Sequence, residues 1–290
     1  MRSRARERGG TVSRLRIVHT STFRYAAPVV ASYNEARITP LTRTGQTVLS
    51  SHVDIQPCTW QTTYRDYWGT AVTAFEVLTP HQTLVITAEH VVQVDDPAPG
   101  RSSADWDELR APALRDRLAE HLADTASTQV PSDLAELARR TAAGLGPADA
   151  AEAVCRAVRE RMEYIPGVTT VHTPAAEAWA VRKGVCQDIT HLALGALHAI
   201  GLPARYVSGY LDSREVPGEG GTVTGESHAW VEYWAGGWRP FDPTNLWPVG
   251  GHHVVLARGR AYEDVPPLRG IYAGVGSQEL EVTVEITPEG

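Results

Sequence analysis

The sequence predicts an α+β protein in which a small all-β unit precedes helices and a second set of strands. Three observations carry that prediction. Between residues 15 and 94, apolar and polar residues alternate in short runs rich in β-branched side chains, the period of a half-buried strand. Between residues 110 and 200 the composition turns to Ala, Leu, Arg and Glu, with apolar residues three and four apart, the period of a helix. After residue 204 the alternation returns. Helices segregated from strands in this way define the α+β class.

Taken in order, Leu15–Thr20, Val53–Ile55 and Leu84–Thr87 read as strands, with turns at Ala27-Pro28, Thr44-Gly45, Trp68-Gly69 and Thr79-Pro80. An antiparallel sandwich or small barrel is the economical arrangement. The stretch Asp95–Gly100 breaks the pattern. The chain therefore divides into a flexible tail at 1–14, a β-sandwich-like domain at 15–97, and a helical segment with a second sheet at 98–290. Helices are expected at Arg110–Ala126, Asp133–Leu145 and Ala148–Met162, with starts at Pro131-Ser132 and Gly146-Pro147. A further helix, Cys186–Ile200, places Ile189, Leu192, Ala193, Ala196, Leu197 and Ile200 on one face, and Gly201 and Pro203 end it. The later strands are Ala204–Leu211, His228–Trp234, Trp238–Phe241, His253–Ala257 and Leu280–Ile286.

Bulk properties narrow the function. A formal charge of −7 disfavours a nucleic-acid partner. The Arg-rich start has no apolar core of the kind an export signal needs, and no run of about 18 apolar residues could span a membrane. A cytoplasmic location is the expectation. The three cysteines, Cys58, Cys155 and Cys186, show no CxxC spacing, so neither a disulfide framework nor a thiolate zinc site is indicated. No cofactor is called for.

Cys186 lies in Lys183-Gly184-Val185-Cys186-Gln187-Asp188, at the start of the buried helix. Free N–H groups and the positive end of the helix dipole stabilise an anion there, which suits a thiolate nucleophile. Its own backbone N–H is placed to hold a developing oxyanion, and Gly184 permits close approach of another backbone or a substrate. A small buried hydrophobe is the plain alternative, and the one that fits Cys155. A thiolate needs a base, and the base an orienting group. His228 shares a strand face with Trp230 and Glu232, while Asp242 follows the next strand. Pairing about the turn Ala235-Gly236-Gly237 sets His228 roughly opposite Phe241 to Asp242. Singly, each reads as a structural histidine or an Asp-Pro turn; together they answer one mechanistic need.

These fragments resemble the transglutaminase-like superfamily, in its bacterial cysteine-hydrolase branch. The resemblance rests on Gly184–Asp188, Gly201–Tyr210, Ser227–Glu232 and Trp238–Asn245, with the tail His253–Val255 and Asp264–Gly270. Arg37–Pro40, Asp66–Gly69 and Pro80-His81 are similar to the β-domain that precedes the core in that branch. One departure is Thr70, where the branch has Asn after its Asp-x-x-Gly turn. The resemblance implies a papain-like α+β core in which Cys186 attacks an amide carbonyl, His228 is the base and Asp242 orients it. The substrate would be a peptide or glutamine-type amide. The thioester would pass to water, or to an amine acceptor.

Other residues compete for roles. Asp188 is a candidate brace or cap for the helix start. Trp230 is a candidate cleft wall or core residue, and Tyr164 a candidate lining of the acyl site. Two other classes stand against the thiol enzyme: a binding protein on the same fold, and a metal enzyme using His252, His253 and nearby carboxylates. Adjacent histidines on a strand face opposite ways, so at most one of that pair joins a given site. His191 and His198 share a helix face and read as hydrogen-bonded structural residues.

Overall fold

The computed structural model describes residues 12–95, 104–214, 221–247 and 249–289. Six strands come first: β1 (Val12–Val29), β2 (Ala31–Ala36), β3 (Gln46–Gln56), β4 (Trp60–Arg65), β5 (Ala71–Val77) and β6 (His81–Asp95). They divide between two antiparallel sheets. Tyr25, Val29, Ala36, Ile38, Ile55, Phe75, Val77, Leu84 and Ile86 are buried together as their shared core. The region is all-β, as the fold class predicts. β1 begins at Val12, inside the stretch assigned to a tail; residues 1–11 and the boundary at 97 lie outside the described residues. Ala27-Pro28 proves to be an irregularity within β1, where the register against β6 shifts between Arg24 and Val29. The turn at Asp66 forms with Thr70 in place. Asp66 Oδ1 accepts the Trp68 and Thr70 N–H groups, and its other oxygen accepts from Arg37.

The helices follow: α1 (Trp106–Arg110), α2 (Pro112–Arg117), α3 (Ser132–Ala142) and α4 (Pro147–Arg159). The helix expected over Arg110–Ala126 is shorter than that range: α2 covers Pro112–Arg117 and gives way to a 3-10 turn at Ala119–His121. α1, which was not foreseen, ends at Arg110, where Pro112 has no N–H to give and holds Ala111 in extended backbone (φ −56°, ψ 127°). β7 (Glu163–Tyr164), α5 (Ala175–Val181) and β8 (Lys183–Gly184) lead into α6 (Cys186–Ala199). Helix α5 was not foreseen.

α6 is the centre of the molecule. It was expected to bury one face, but Gln187 through Leu197 are all buried, because α3, α4 and α5 cover one side and the second sheet the other. That sheet comprises β9 (Ala204–Leu211), β11 (Glu226–Trp234), β12 (Trp238–Phe241) and β13 (His253–Gly259), in the order β12-β11-β9-β13; β10 (Val223–Thr224) lies outside it. Ala229, Val231 and Tyr233 of β11 pack in the core with α6, whereas Trp230 packs on the other face with Val207, Val249, Val255 and Leu41.

The chain then returns to its beginning. β14 (Leu268–Ala273) pairs with β2, and β15 (Gln278–Pro288) runs antiparallel to β1 from Leu15↔Pro288 to Tyr25↔Gln278. The division at 98–290 is corrected accordingly: its last two strands complete the amino-terminal sandwich. Buried bonds tie the sandwich to the second sheet as well. Gln46 bonds both backbone groups of Val255, and His19 Nδ1 lies 2.8 Å from the Tyr210 hydroxyl. No helix among the described residues is long and apolar enough to cross a membrane.

Candidate active site

The position of Cys186 is set by the two residues before it. β8 pairs in parallel with β7, matching Gly184 to Tyr164, and Ile165 N–H donates to the Gly184 carbonyl at 3.0 Å. The chain turns at Val185, which is extended, and α6 starts at Cys186. Asp188 folds back so that its Oδ2 accepts the Val185 N–H at 2.8 Å and the Thr169 hydroxyl at 2.7 Å. This is the carboxylate half of a capping box. A Cβ on Gly184 would lie 2.6 Å from that oxygen. The close approach foreseen at Gly184 is thus made by the Asp188 carboxylate. Burial pushes the Asp188 carboxyl up, against the hydrogen bonds that lower it. Cys186 itself is half-buried, while Cys58 is exposed and Cys155 fully buried in the core. Burial drives the Cys155 thiol far above its ordinary range.

His228 and Asp242 meet as expected, by a different register. Val231, not His228, sits opposite Phe241. The hairpin loop is Ala235-Gly236-Gly237, with Gly236 at φ 83°, and the ladder ends at Phe241. The chain then turns. Asp242 Oδ1 accepts the N–H groups of Thr244 (2.9 Å) and Asn245 (3.1 Å), which swings Oδ2 to within 2.8 Å of His228 Nε2. Nε2 is thereby taken, and the Cys186 side chain also interacts with the His228 ring. Burial pulls the imidazolium down, but the bonds to Asp242 and Cys186 and the charge on each outweigh it, pushing His228 up to about 10. Burial likewise opposes ionisation of Asp242. Its bonds and charge interactions with His228 and His253 prevail and hold the carboxyl well below the usual range. Cys186, His228 and Asp242 therefore form one interacting series from a helix N-terminus to a buried carboxylate, with the His228–Asp242 pair directly hydrogen-bonded.

Trp230 is fully buried, its ring 6.1 Å from that of His228 at 27° and 5.1 Å from that of His253. It walls the imidazoles from behind, as a core residue. Tyr164 is exposed and reaches the site region through its pairing with Gly184. Two residues were given no part beside the triad in the sequence, His253 having been considered only as a metal ligand. Asn245 Nδ2 donates to Asp242 Oδ2 at 3.0 Å, and His253 Nε2 lies 3.3 Å from the same oxygen. The signal for His253 was present in the alternation argument: of the adjacent pair only His253 joins the site, while His252 bonds the Asp212 carbonyl. Ligand atoms of His228, Asp242 and His253 lie within 4.8 Å of one another, a set that could hold a divalent ion. Their hydrogen bonds to Asp242 already account for the clustering. His191 and His198 are structural, bonded to the Tyr262 N–H and to Asp124.

Residues 15–93 match the family described as the bacterial transglutaminase-like N-terminal region, and residues 135–243 match the transglutaminase-like superfamily. An uncharacterised protein of Mycobacterium leprae is 43% identical over 274 residues, covering 94% of this chain and 98% of that one. A protein-glutamine gamma-glutamyltransferase of Pseudomonas aeruginosa is 33% identical over 104 residues, 32% of this chain and 16% of that protein. Among solved structures, that of a candidate cysteine protease from Cytophaga hutchinsonii superposes with a TM-score of 0.73 at 19% identity, covering 96% of this chain and 98% of the other. That likeness concerns the fold.

Proposed function

The chain belongs to the transglutaminase-like superfamily, and from that premise we propose that it is a thiol acyl-transfer enzyme acting on a peptide or glutamine-type amide. The observation that carries this reading is the chain of contacts Cys186–His228–Asp242 at the N-terminus of α6. The Cys186 thiolate attacks the amide carbonyl carbon, and the carbonyl π electrons move onto oxygen. The first N–H groups of α6, Cys186's own among them, lack intrahelical acceptors and face that developing charge. The His228 imidazolium protonates the leaving amine as the C–N bond breaks, and a thioester remains. Water then attacks the thioester, His228 takes its proton, and the thiol leaves with the acid released. Asp242 keeps the imidazole in one tautomer and orientation throughout, and its full burial keeps water from competing for that bond.

A second reading replaces water with an amine. The local similarity to a protein-glutamine gamma-glutamyltransferase favours it, and both readings share every step up to the thioester. A pool of glutamine-containing peptides, incubated with the protein with and without methylamine, separates them by mass spectrometry. Conversion of glutamine to glutamate in both samples is the expected result. Methylamide products in place of glutamate would establish the transferase, and no conversion of any peptide would contradict both.

A further inference from the structure

A cavity of about 620 Å³ opens where the amino-terminal sandwich meets the catalytic half, within the size range of small-ligand sites. Its floor is aromatic. Phe23 and Tyr25 of β1 stack with ring centroids 6.4 Å apart, Tyr25 meets Tyr272 of β14 at 5.1 Å, and Phe75 of β5 completes the surface. Phe23 and Tyr272 are only partly buried, so part of each ring remains uncovered. The far wall includes Val171 and Tyr262, and this wall hangs from the nucleophile's helix by three bonds. Gln187 Nε2 donates to the Val171 carbonyl at 3.0 Å, the Thr169 hydroxyl to Asp188 at 2.7 Å, and the Tyr262 N–H to His191 Nε2 at 3.1 Å. The residues immediately after Cys186 are thus joined to the cavity's edge.

We propose that this cavity recognises the acyl donor, taking an apolar or aromatic side chain of the peptide whose amide carbonyl reacts at Cys186. The inference rests on the reading of Cys186 as the reactive thiol. Four aromatic rings favour a side chain that gains by leaving water, while Asn34, Glu35, Glu263 and Arg269 on the same lining offer polar partners to the peptide around it. Binding energy collected at a distance from the scissile bond is the means by which such a site positions the carbonyl. The sandwich then has a catalytic purpose. Its first strand and its last two, which also supply Leu280, are brought together from the two ends of the chain to build the floor.

The probes are chloroacetyl peptides that alkylate Cys186 directly: chloroacetyl-Phe-amide, its one- and two-glycine-spaced homologues, and the matching series with Gly in place of Phe. Alkylation forms the S–C bond and releases chloride. At the spacer that fits, the Phe reagent should label Cys186 about tenfold faster than its Gly counterpart, equivalent to roughly 1.4 kcal/mol. Phe23→Ala and Leu280→Asn, confirmed folded by circular dichroism, should bring that ratio toward one. Leu280 is exposed, so its substitution tests the cavity with little risk to the fold. If the Gly reagents label Cys186 but no Phe reagent is faster at any spacer, the cavity has no such role. A Phe preference that survives both substitutions overturns the proposal equally. If no reagent labels Cys186, the reading of the thiol itself fails and the proposal falls with it.

Discussion

Asp242→Asn changes one atom and should disturb both stability and the state of His228. Five donors converge on the native carboxylate: the Thr244 and Asn245 N–H groups on Oδ1, and His228, Asn245 and His253 on Oδ2. An amide NH₂ at either oxygen position faces at least two of them. Each buried donor left unsatisfied costs about 1–3 kcal/mol, so the loss is on the order of 2–5 kcal/mol, and Tm falls by roughly 10 °C. The pH dependence changes too. Asp242 has a folded pKa depressed below 3.8, so the stability it contributes is present above that value and lost as pH falls. The Asn variant should show a flatter acid limb. His228 is the opposite case. Its folded pKa is raised from 6.5 to about 10, so its contribution is complete below 6.5 and disappears as pH rises toward 10. Removing the neighbouring charge should lower the His228 midpoint by roughly 1–3 units. Thermal unfolding between pH 3 and 10 reads the first effect. An NMR titration of the His228 Cε1–H resonance, assigned by its absence in His228→Ala, reads the second. A variant as stable as the parent, with the His228 midpoint unmoved, would refute the account of this carboxylate.

Three further outcomes are expected. Gly184→Ala should place a methyl group against Asp188, break the cap at Val185, and lower stability by about 1–3 kcal/mol together with turnover; urea denaturation and the peptide-conversion assay measure the two. Glu232→Gln should destabilise by roughly 3–5 kcal/mol, because Arg205 and Arg258 both bond this buried carboxylate and would be left without it. Glu232 is held at about 2, burial opposing and Arg258 and Arg205 prevailing; its contribution is therefore present above pH 4.5 and should be lost below it in a denaturation series. Exhaustive chelation should leave amide turnover unchanged, whereas loss with EDTA and recovery with zinc would assign a metal role to His228, Asp242 and His253.

What could be read from the sequence was local. Cys186 stood out because a cysteine at the start of an apolar helix, two residues after a glycine, has physical consequences that need no tertiary information. The bounds of β9 and β12 match their expected ranges because alternation and flanking turns delimit them. Pairing was harder. Leu280–Ile286 alternates plainly, but nothing in its composition says that its partner is β1 at the other end of the chain. The register of β11 against β12 was missed by two to three positions because the three-residue loop places Val231 opposite Phe241. Asp242 reaches His228 through the Asx turn at Thr244 and Asn245, which compensates for that offset. The start of α2 at Pro112 was legible, since proline suits a first helical turn, and was placed two residues too early. Asn245 and His253 lay in quoted motifs, but their convergence on one oxygen is a property of the folded turn and of β13.

The central claim is that an amide carbonyl is transferred to the Cys186 sulfur. Acid-quenched mass spectrometry of the protein during turnover of a glutamine peptide tests it most directly. The account predicts an adduct equal to the peptide less ammonia, mapped by digestion to the segment containing Cys186 and cleared by neutral hydroxylamine. The adduct should be absent from Cys186→Ala and strongly reduced in His228→Ala. Undiminished amide turnover by a folded Cys186→Ala protein, or an adduct mapped to Cys58 or Cys155, would contradict it.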